Sequence, residues 1–158
     1  MSISIRNISE TDLASVVELM RGFAKYEDLL EYCTVTDERL KTAMFGNTAF
    51  VEGLIAHDET EPIGYALFYP AFSSFRGERG LYLEDIYIRA EYRRNDLGLK
   101  MLRQIARTAS ARGLERIDFL VLDWNEPAVN FYLKHGAERN TDESHFKFAG
   151  EAFARLAS

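Results

Sequence analysis

A basic turn between two regular segments is the first place where residue types suggest chemistry. Residues 83–98 read LEDIYIRAEYRRNDLG, a strand-like stretch, then charged residues, then the start of an amphipathic helix. The free backbone N–H groups and the positive end of such a helix form a site for phosphate. Arg93 and Arg94 could add charged hydrogen bonds to a pyrophosphate. Basic turns of this kind also occur without a ligand, so the pattern alone leaves both interpretations open.

Three side chains, two in this stretch and one beyond it, could move protons. Residues 123–137 (DWNEPAVNFYLKHGA) predict a helix that carries Tyr132. A phenol can donate a proton to a leaving thiolate, although a tyrosine on a helix also commonly packs in a core with a satisfied hydroxyl. Glu84 and Asp85 are neighbours in a predicted strand, so they point to opposite faces and at most one enters a cleft directly, unless a bulge intervenes. Each could equally be a solvated or structurally paired acid.

Charge is unevenly distributed along the chain. The 158 residues include 19 basic and 25 acidic ones, for a net charge of −6, which argues against a general nucleic-acid binder. Residues 89–116 hold eight basic and three acidic residues, a net +5 that leaves −11 for the remainder. A basic segment in an acidic protein suits an anionic cofactor paired with a cationic substrate. A solvated helix face is the alternative.

Several classes of protein are disfavoured by composition. Cys33 is the only cysteine, so no internal disulfide can form. His57, His135 and His145 do not form a metal-binding spacing. Neither a signal peptide nor a run of about 20 apolar residues is present, which favours a cytoplasmic protein without a membrane segment.

The elements that must position these residues can be read from periodicity and caps. Helical spacing predicts helices over 13–26 and 97–111, a short helix capped by Thr36 or Asp37, and a helix from Pro127 to Gly136. The predicted strands are 3–8, 49–56, 63–69, 81–88, 117–122 and a last one around 145–148, with a loop at 70–80. The order β-α-α-β-β-β-α-β-α-β predicts one α/β domain of α+β type over residues 1–158, with a mixed, mostly antiparallel sheet flanked by helices.

Together these stretches resemble the GNAT superfamily of N-acetyltransferases, and within it the diamine (spermidine/spermine) and thialysine acetyltransferases. The likeness runs nearly end to end. It rests on residues 24–27 (AKYE), 81–85 (LYLED), 119–127 (FLVLDWNEP) and 130–132 (NFY). The combination of the last two is the most specific part. The resemblance implies the GNAT fold, acetyl-CoA as co-substrate without a metal, a small-molecule amine as acceptor, and a homodimer with no nucleic-acid or membrane partner.

The resemblance also implies roles for particular residues. The family's cofactor loop falls on Arg93 to Gly98. The cofactor-binding residues implied in this way are Ile86, Tyr87 and Ile88, whose backbone would bind the pantetheine arm, and Arg93, Arg94, Asn95, Asp96, Leu97, Gly98, Asn125 and Tyr132. Tyr132 matches the general acid, and Glu84 matches the acid that accepts the amine proton through water. Tyr26, Glu27, Glu84 and Asp85 match the lining of the amine pocket.

An alkylamine suits such a carboxylate site. Its pKa is near 10.4, so the amine arrives charged and non-nucleophilic. The site must attract a cation and then remove its proton, and a carboxylate can do both, directly or through water.

The chain departs from the family pattern at Asp96, where the loop has its first glycine. Glycine would let the backbone approach the phosphates in unusual dihedral angles, whereas aspartate adds a side chain and a like charge. Asp96 or Asn95 could instead cap the helix that begins at Leu97. At the cofactor loop two outcomes stay open, weak coenzyme A binding or a degenerate binding module, and an acetyltransferase for an amino acid or a protein amine is a separate alternative. Phe75 stands where the diamine enzymes have a tryptophan, and His145 and Phe146 stand roughly where the family has a Trp-Arg pair. Both differences affect the choice of acceptor.

Overall fold

A computed structural model describes residues 2–158, which divide into two compact units. The first unit runs to Leu120 and contains a five-stranded sheet and three helices. In chain order its elements are β1 (Ile3–Asn7), α1 (Leu13–Tyr26), α2 (Asp37–Phe45), β2 (Glu52–Asp58), β3 (Glu61–Ser73), β4 (Glu78–Ile88), α3 (Leu97–Ala111) and β5 (Arg116–Asp118). The second unit, Val121–Ser158, contains α4 (Glu126–Lys134) and α5 (Gly150–Ala157).

The sheet follows the chain order β1-β2-β3-β4-β5. The first four strands are antiparallel, and β5 pairs parallel to β4 after the crossover through α3. The predicted mixed, mostly antiparallel α/β fold is therefore confirmed. The helices flank both faces, since α3 packs on one apolar cluster with Leu54, Ile63 and Leu81, and α1 and α2 pack on the other.

The two longest helices in the first unit have the predicted bounds because their signals are local. Helix α1 buries Val16 and Val17 against the sheet, and α3 buries Met101 and Ile105. The Thr36 hydroxyl accepts a hydrogen bond from the Arg39 amide at 3.2 Å, so Thr36 is the cap of α2 as predicted.

The strands differ more from the prediction. Residues 70–80 were expected to form a loop, but β3 and β4 extend through most of that range and meet at a tight turn over residues 74–77. The ten-pair antiparallel ladder between them explains the extension, because each strand satisfies the backbone groups of the other. The expected strand 117–122 is limited to 116–118, and Leu120 and Leu122 beyond it are exposed.

The prediction of a last strand around residues 145–148 is wrong. Within the described residues no strand follows Asp118, and the chain ends in α5 instead. Phe146 and Phe148 alternate with polar residues as in a strand, but both side chains are exposed. Alternation alone does not form a strand, because a strand also needs a hydrogen-bonded neighbour. Across residues 2–158, no helix has the length and apolarity needed to cross a membrane.

Candidate active site

A β-bulge in β4 brings the two adjacent acids to one face of the sheet. Leu67 of β3 pairs with Asp85, and the next residue, Phe68, pairs with Leu83, so Glu84 is the extra residue. Leu83 packs in the cluster under α3, whereas Tyr87 packs in the cluster under α1. The bulge shifts the alternation between them, so Glu84 and Asp85 both lie on the α1 face. A bulge that lets both acids face the same side is therefore present.

Asp85 is held by a buried tyrosine of the neighbouring strand. The Tyr65 hydroxyl donates a hydrogen bond to Asp85 Oδ2 at 2.8 Å, and Tyr65 itself is fully buried. Burial raises the pKa of Asp85 to about 6, and the nearby charge of Glu84 adds to the rise, while the Tyr65 hydrogen bond opposes it. Asp85 is therefore a carboxylate at neutral pH that changes charge just below it.

Glu27 extends the negative charge from the end of α1. Burial raises the pKa of Glu27, and the charge of Asp85 raises it further, so the two carboxylates are electrostatically coupled. Burial also raises the pKa of Tyr65 well above its usual value, with Asp85, Cys33 and Glu27 adding to the shift. Tyr65 consequently stays a hydrogen-bond donor. We refer to Glu27, Tyr65 and Asp85 as the acid cluster. Two coupled carboxylates in a partly buried setting favour the binding of a cation.

Glu84 lies at the exposed side of the same face, beside aromatic rings. The Tyr69 hydroxyl donates to Glu84 Oε2 at 2.8 Å. Tyr69 stacks on Tyr82 with ring centres 5.3 Å apart, and Phe50 meets Tyr69 edge-on at 5.8 Å. These rings form an apolar wall next to the acids. A cationic group with a hydrocarbon chain matches this combination of charge and apolar surface.

The end of β4 extends beyond its parallel neighbour. Strand β5 pairs with β4 only from Gly80 to Tyr82, and β4 continues to Ile88. The opposite edge stays paired, since Ile86 and Ile88 face Ala66 and Gly64 of β3. The predicted cofactor strand 86–88 therefore has one edge in the sheet and one edge beyond the last β5 pair. Backbone groups on such an edge are available to an extended ligand.

The turn after β4 contains the residues of the predicted phosphate loop. Arg94, Asn95 and Asp96 are exposed, and α3 begins at Leu97, which is fully buried. Arg93 is directed elsewhere, because its Nε donates to the Ile88 carbonyl oxygen at 2.9 Å and its guanidinium lies over the Tyr26 ring. The predicted contact of Arg93 with a pyrophosphate stays a prediction.

Asp96 has the backbone conformation that glycine adopts most easily. Its φ of 52° and ψ of 17° are left-handed. The prediction that its side chain caps α3 is wrong, since Asp96 is at the cap position but its side chain makes no capping hydrogen bond. A capping side chain normally extends from a β-region backbone, which Asp96 does not have.

The second unit carries the remaining predicted residues. Asn125 is buried at the start of α4, where its side chain accepts a hydrogen bond from the Ala128 amide at 3.4 Å. Tyr132 lies in the last turn of α4, and its ring meets that of Phe131 edge-on at 5.2 Å. Burial raises the pKa of Tyr132 to about 12, so its hydroxyl remains protonated at neutral pH. The aromatic substitutions noted above, Phe75 and Phe146, are both exposed.

Comparison with known families places these features in one group of enzymes. The model of the acetyltransferase (GNAT) family matches residues 17–137. The chain belongs to the GNAT acetyltransferase family. It is therefore an acetyltransferase, and members of this family use acetyl-CoA as co-substrate.

Individual relatives agree with this membership. The acetyltransferase is 34% identical to the thialysine N-epsilon-acetyltransferase of Bos taurus over 166 residues, which cover 98% of this chain and 97% of the relative. It is 41% identical over 93 residues to an L-ornithine N5-acetyltransferase of Arabidopsis thaliana, covering 59% and 41% of the two chains. An integron cassette protein from the mobile metagenome of V. cholerae has the same fold, with a TM-score of 0.82 at 19% identity over 99% of this chain and 98% of that chain.

Sequence reasoning missed the two tyrosines that hold the acids. Tyr65 and Tyr69 are four residues apart in β3 and each donates to one carboxylate. Their spacing places them on one face of a strand, and that is the only signal the sequence contains. Within residues 2–158 no group of three or more metal-ligating side chains comes together in the acetyltransferase.

Proposed function

We propose that this acetyltransferase moves an acetyl group from acetyl-CoA to a primary amine of a small molecule, of the diamine, polyamine or thialysine kind. The observation that carries the proposal is the bulge that places Glu84 and Asp85 on one face, beside Glu27 and an aromatic wall. The names of the relatives, which include thialysine and ornithine acetyltransferases, support an amine carried on a short aliphatic chain.

On the amine side, the carboxylates have separable roles. We assign attraction of the ammonium group to Asp85 and Glu27, because both are partly buried and their charges reinforce each other. We assign removal of the proton, through a water molecule, to Glu84, because Glu84 is exposed to solvent and directly precedes Asp85 in the chain. Tyr65 and Tyr69 hold Asp85 and Glu84 by hydrogen bonds and so limit the motion of the carboxylates.

On the cofactor side, the residues of the turn after β4 fit a diphosphate, with the exception of the Asp96 carboxylate. Leu97 and Gly98 begin α3, so their amides lack partners within the helix, and the exposed Arg94 adds positive charge. The left-handed backbone at Asp96 is the conformation that the loop glycine of the family can adopt. The carboxylate of Asp96 is unfavourable beside a phosphate. Asn95 and Arg93 complete the turn. Acetyl-CoA, when bound, supplies the thioester from which the acetyl group leaves.

The remaining proposed roles fall on residues 86–88 of β4 and, separately, on residues of the second unit. Amides of residues 86–88 would hydrogen-bond the pantetheine arm and polarise the thioester oxygen. Asn125 would flank the cofactor at the start of α4. Tyr132 would protonate the leaving sulfur, a role supported by a hydroxyl that keeps its proton at neutral pH.

Replacing Tyr132 by phenylalanine tests the general acid. We expect kcat to fall about 10- to 100-fold, because a positioned proton donor contributes on that order, with little change in the KM for acetyl-CoA. Stopped-flow or coupled thiol-release assays measure both constants. Tyr92→Phe, also a partly buried tyrosine, is the control and should leave kcat within about twofold. An unchanged kcat in Tyr132→Phe would remove Tyr132 from the mechanism.

The function as a whole is tested with a panel of amines and acetyl-CoA. We expect acetylation of diamines, polyamines, ornithine or thialysine, and much weaker turnover of amines that lack a second polar end. Acetylation of amino-acid α-amines or protein amines alone would contradict the proposed acceptor class.

Asp96 supports a second candidate, a binding module without catalysis, because its negative charge lies within the turn proposed to bind the diphosphate. Calorimetric titration with coenzyme A separates the two. Tight binding together with turnover of any amine eliminates the module, whereas no binding at millimolar coenzyme A would favour it and contradict the enzyme proposal.

We further propose that residues 1–158 act as one acetyltransferase domain, in the cytoplasm, as a homodimer. The family match from 17 to 137 includes parts of both units, which supports a single functional domain. The exposed apolar side chains of Phe146, Phe148, Phe153 and Leu156 support a second copy that covers them. Sedimentation equilibrium checks the state, and a mass of one chain at micromolar concentration would contradict it.

A further inference from the structure

Arg93 has an arrangement that a phosphate turn does not require. It follows the short 3-10 turn Ala90–Tyr92 and is the first residue of the loop matched to the cofactor. Its Nε donates to the Ile88 carbonyl oxygen at 2.9 Å. Its guanidinium carbon is 4.3 Å from the centre of the Tyr26 ring and 5.7 Å from the centre of the Tyr87 ring. The side chain therefore returns from the turn to β4 and the end of α1.

The partners of Arg93 lead directly to the acid cluster. Tyr87 stacks on Phe23 of α1 at 5.3 Å and lies against Tyr65 at 6.3 Å. Tyr65 in turn donates to Asp85. Tyr26 is the last residue of α1, and Glu27 of the acid cluster is the next residue. A continuous set of contacts thus links the guanidinium of Arg93 to the residues proposed to bind the amine.

The chemistry of arginine suits this position. The carboxyl end of a helix is its negative end, so a cation at the end of α1 is stabilised. A planar guanidinium can stack on tyrosine while donating a directed hydrogen bond, which the ammonium of lysine cannot do in the same way. The Nε–H and one face of the guanidinium are engaged in this way, so the side chain is directed toward β4 and the end of α1 and only its Nη groups remain for another partner.

We propose that Arg93 is a positioning residue for the amine acceptor, which holds Tyr26 and Glu27 at the end of α1 against β4, and that it is not a ligand of the diphosphate. The inference rests on the proposed function, since it concerns the amine side of the same site. It also divides the two adjacent arginines by role, with Arg93 acting on the acceptor and Arg94 on the cofactor.

Arg93→Gln tests the division. We expect the KM for the amine to rise about tenfold, because a stacked, charged hydrogen-bond donor is lost beside the acceptor site. The KM for acetyl-CoA, and the Kd for coenzyme A measured by calorimetry without amine, should stay within about twofold of wild type. Arg94→Gln is the matched control in the same turn, and it should raise the Kd for coenzyme A several-fold and leave the amine KM unchanged.

A double variant shows whether Arg93 acts through Tyr26. In a Tyr26→Leu background, the further change Arg93→Gln should alter the amine KM by less than about twofold, since the ring it stacks on is gone. If Arg93→Gln does not fold, Arg93→Lys retains the charge and should give an intermediate rise in the amine KM.

The outcomes separate this inference from the proposed function. If Arg93→Gln weakens coenzyme A binding as much as Arg94→Gln does, or leaves the amine KM unchanged, the inference is overturned while the acetyltransferase proposal stands. Full additivity with Tyr26→Leu also overturns it. A wild-type protein that acetylates no amine overturns the proposed function, and this inference with it.

Discussion

Asp85→Asn should raise the KM for the amine and lower kcat/KM about 100-fold, the largest loss expected from a single carboxylate of this site. Asp85 is partly buried, coupled to Glu27 and held by Tyr65, so its charge acts on the ammonium with little screening. The KM for acetyl-CoA should change by less than about threefold. Steady-state kinetics with each substrate varied in turn gives the four constants.

The same variant should change the pH dependence. The pKa of Asp85 is raised to about 6, so in wild type kcat/KM for the amine should rise as pH increases through about 6 and Asp85 ionises. Asparagine cannot titrate, so this limb should disappear in Asp85→Asn. A limb near pH 6 that persists in the variant would assign the titration to another group.

Although Asp85→Asn should lower activity, it should raise the thermal stability of the protein at high pH. A carboxyl group whose pKa is raised by folding stabilises the protein at low pH, where it is neutral, and loses that contribution as pH rises through the folded value. At pH 8 the neutral Asp85→Asn should therefore have a higher Tm than wild type, and at pH 4 the difference should be small. A lower Tm at pH 8 would contradict the assigned burial cost.

Glu84→Gln is the matched control for Asp85→Asn. It is the adjacent residue, it is exposed, and it accepts from Tyr69 as Asp85 accepts from Tyr65. If Glu84 removes the proton through water, kcat should fall about tenfold or more with a nearly unchanged amine KM. Equal effects of the two variants on the amine KM would contradict the separate roles proposed for them.

Asp96→Gly should tighten coenzyme A binding about tenfold. Two unfavourable contributions are removed together. One is the side chain itself, which limits how closely a phosphate can approach the backbone of the turn, as glycine would allow. The other is a negative charge near the phosphates, which at about 4 Å costs roughly 1 kcal/mol in water and more near protein. Isothermal titration calorimetry with coenzyme A measures the change, and kcat should not fall.

Asp96→Asn separates the two contributions. Asparagine has nearly the shape of aspartate and tolerates left-handed backbone, but it has no charge. We expect Asp96→Asn to recover about half of the gain in binding free energy, and Asp96→Gly the rest. Asp96→Gly should also raise the free energy of unfolding by about 0.5 kcal/mol, while Asp96→Asn should not. Unchanged affinity in both variants would contradict our account of the loop.

The sequence predicted those elements whose signals are local. Helices α1 and α3 have the expected bounds because apolar spacing, a cap region and Gly113 mark them within the chain itself. Strand predictions were weaker, since β3 and β4 lengthen by pairing with each other, and the expected strand at 145–148 has no hydrogen-bonded neighbour. Strand formation depends on residues distant in sequence, which periodicity does not report.

In the candidate site, too, some features could be predicted from the sequence and others depend on residues distant in the chain. Its residue types could be proposed from the resemblance, and the acids, the turn and Tyr132 were all named from it. The bulge at Glu84 could not be predicted from the sequence, because the extra residue is defined only by the register against Leu67 and Phe68. Nor could the stacking of Arg93 on Tyr26, because a side chain's direction out of a turn depends on packing with another element.

Because β4 contains an extra residue, the effect of deleting one residue from this strand depends on where the deletion falls. Removing Glu84 would leave the flanking register intact, since Leu83 already pairs with Phe68 and Asp85 with Leu67. The shortened strand would keep its core contacts and lose one acid. Removing a regularly paired residue such as Ile86 would turn the rest of the strand inside out. A change in length at this one position is therefore a route by which related enzymes could alter proton transfer without rebuilding the sheet.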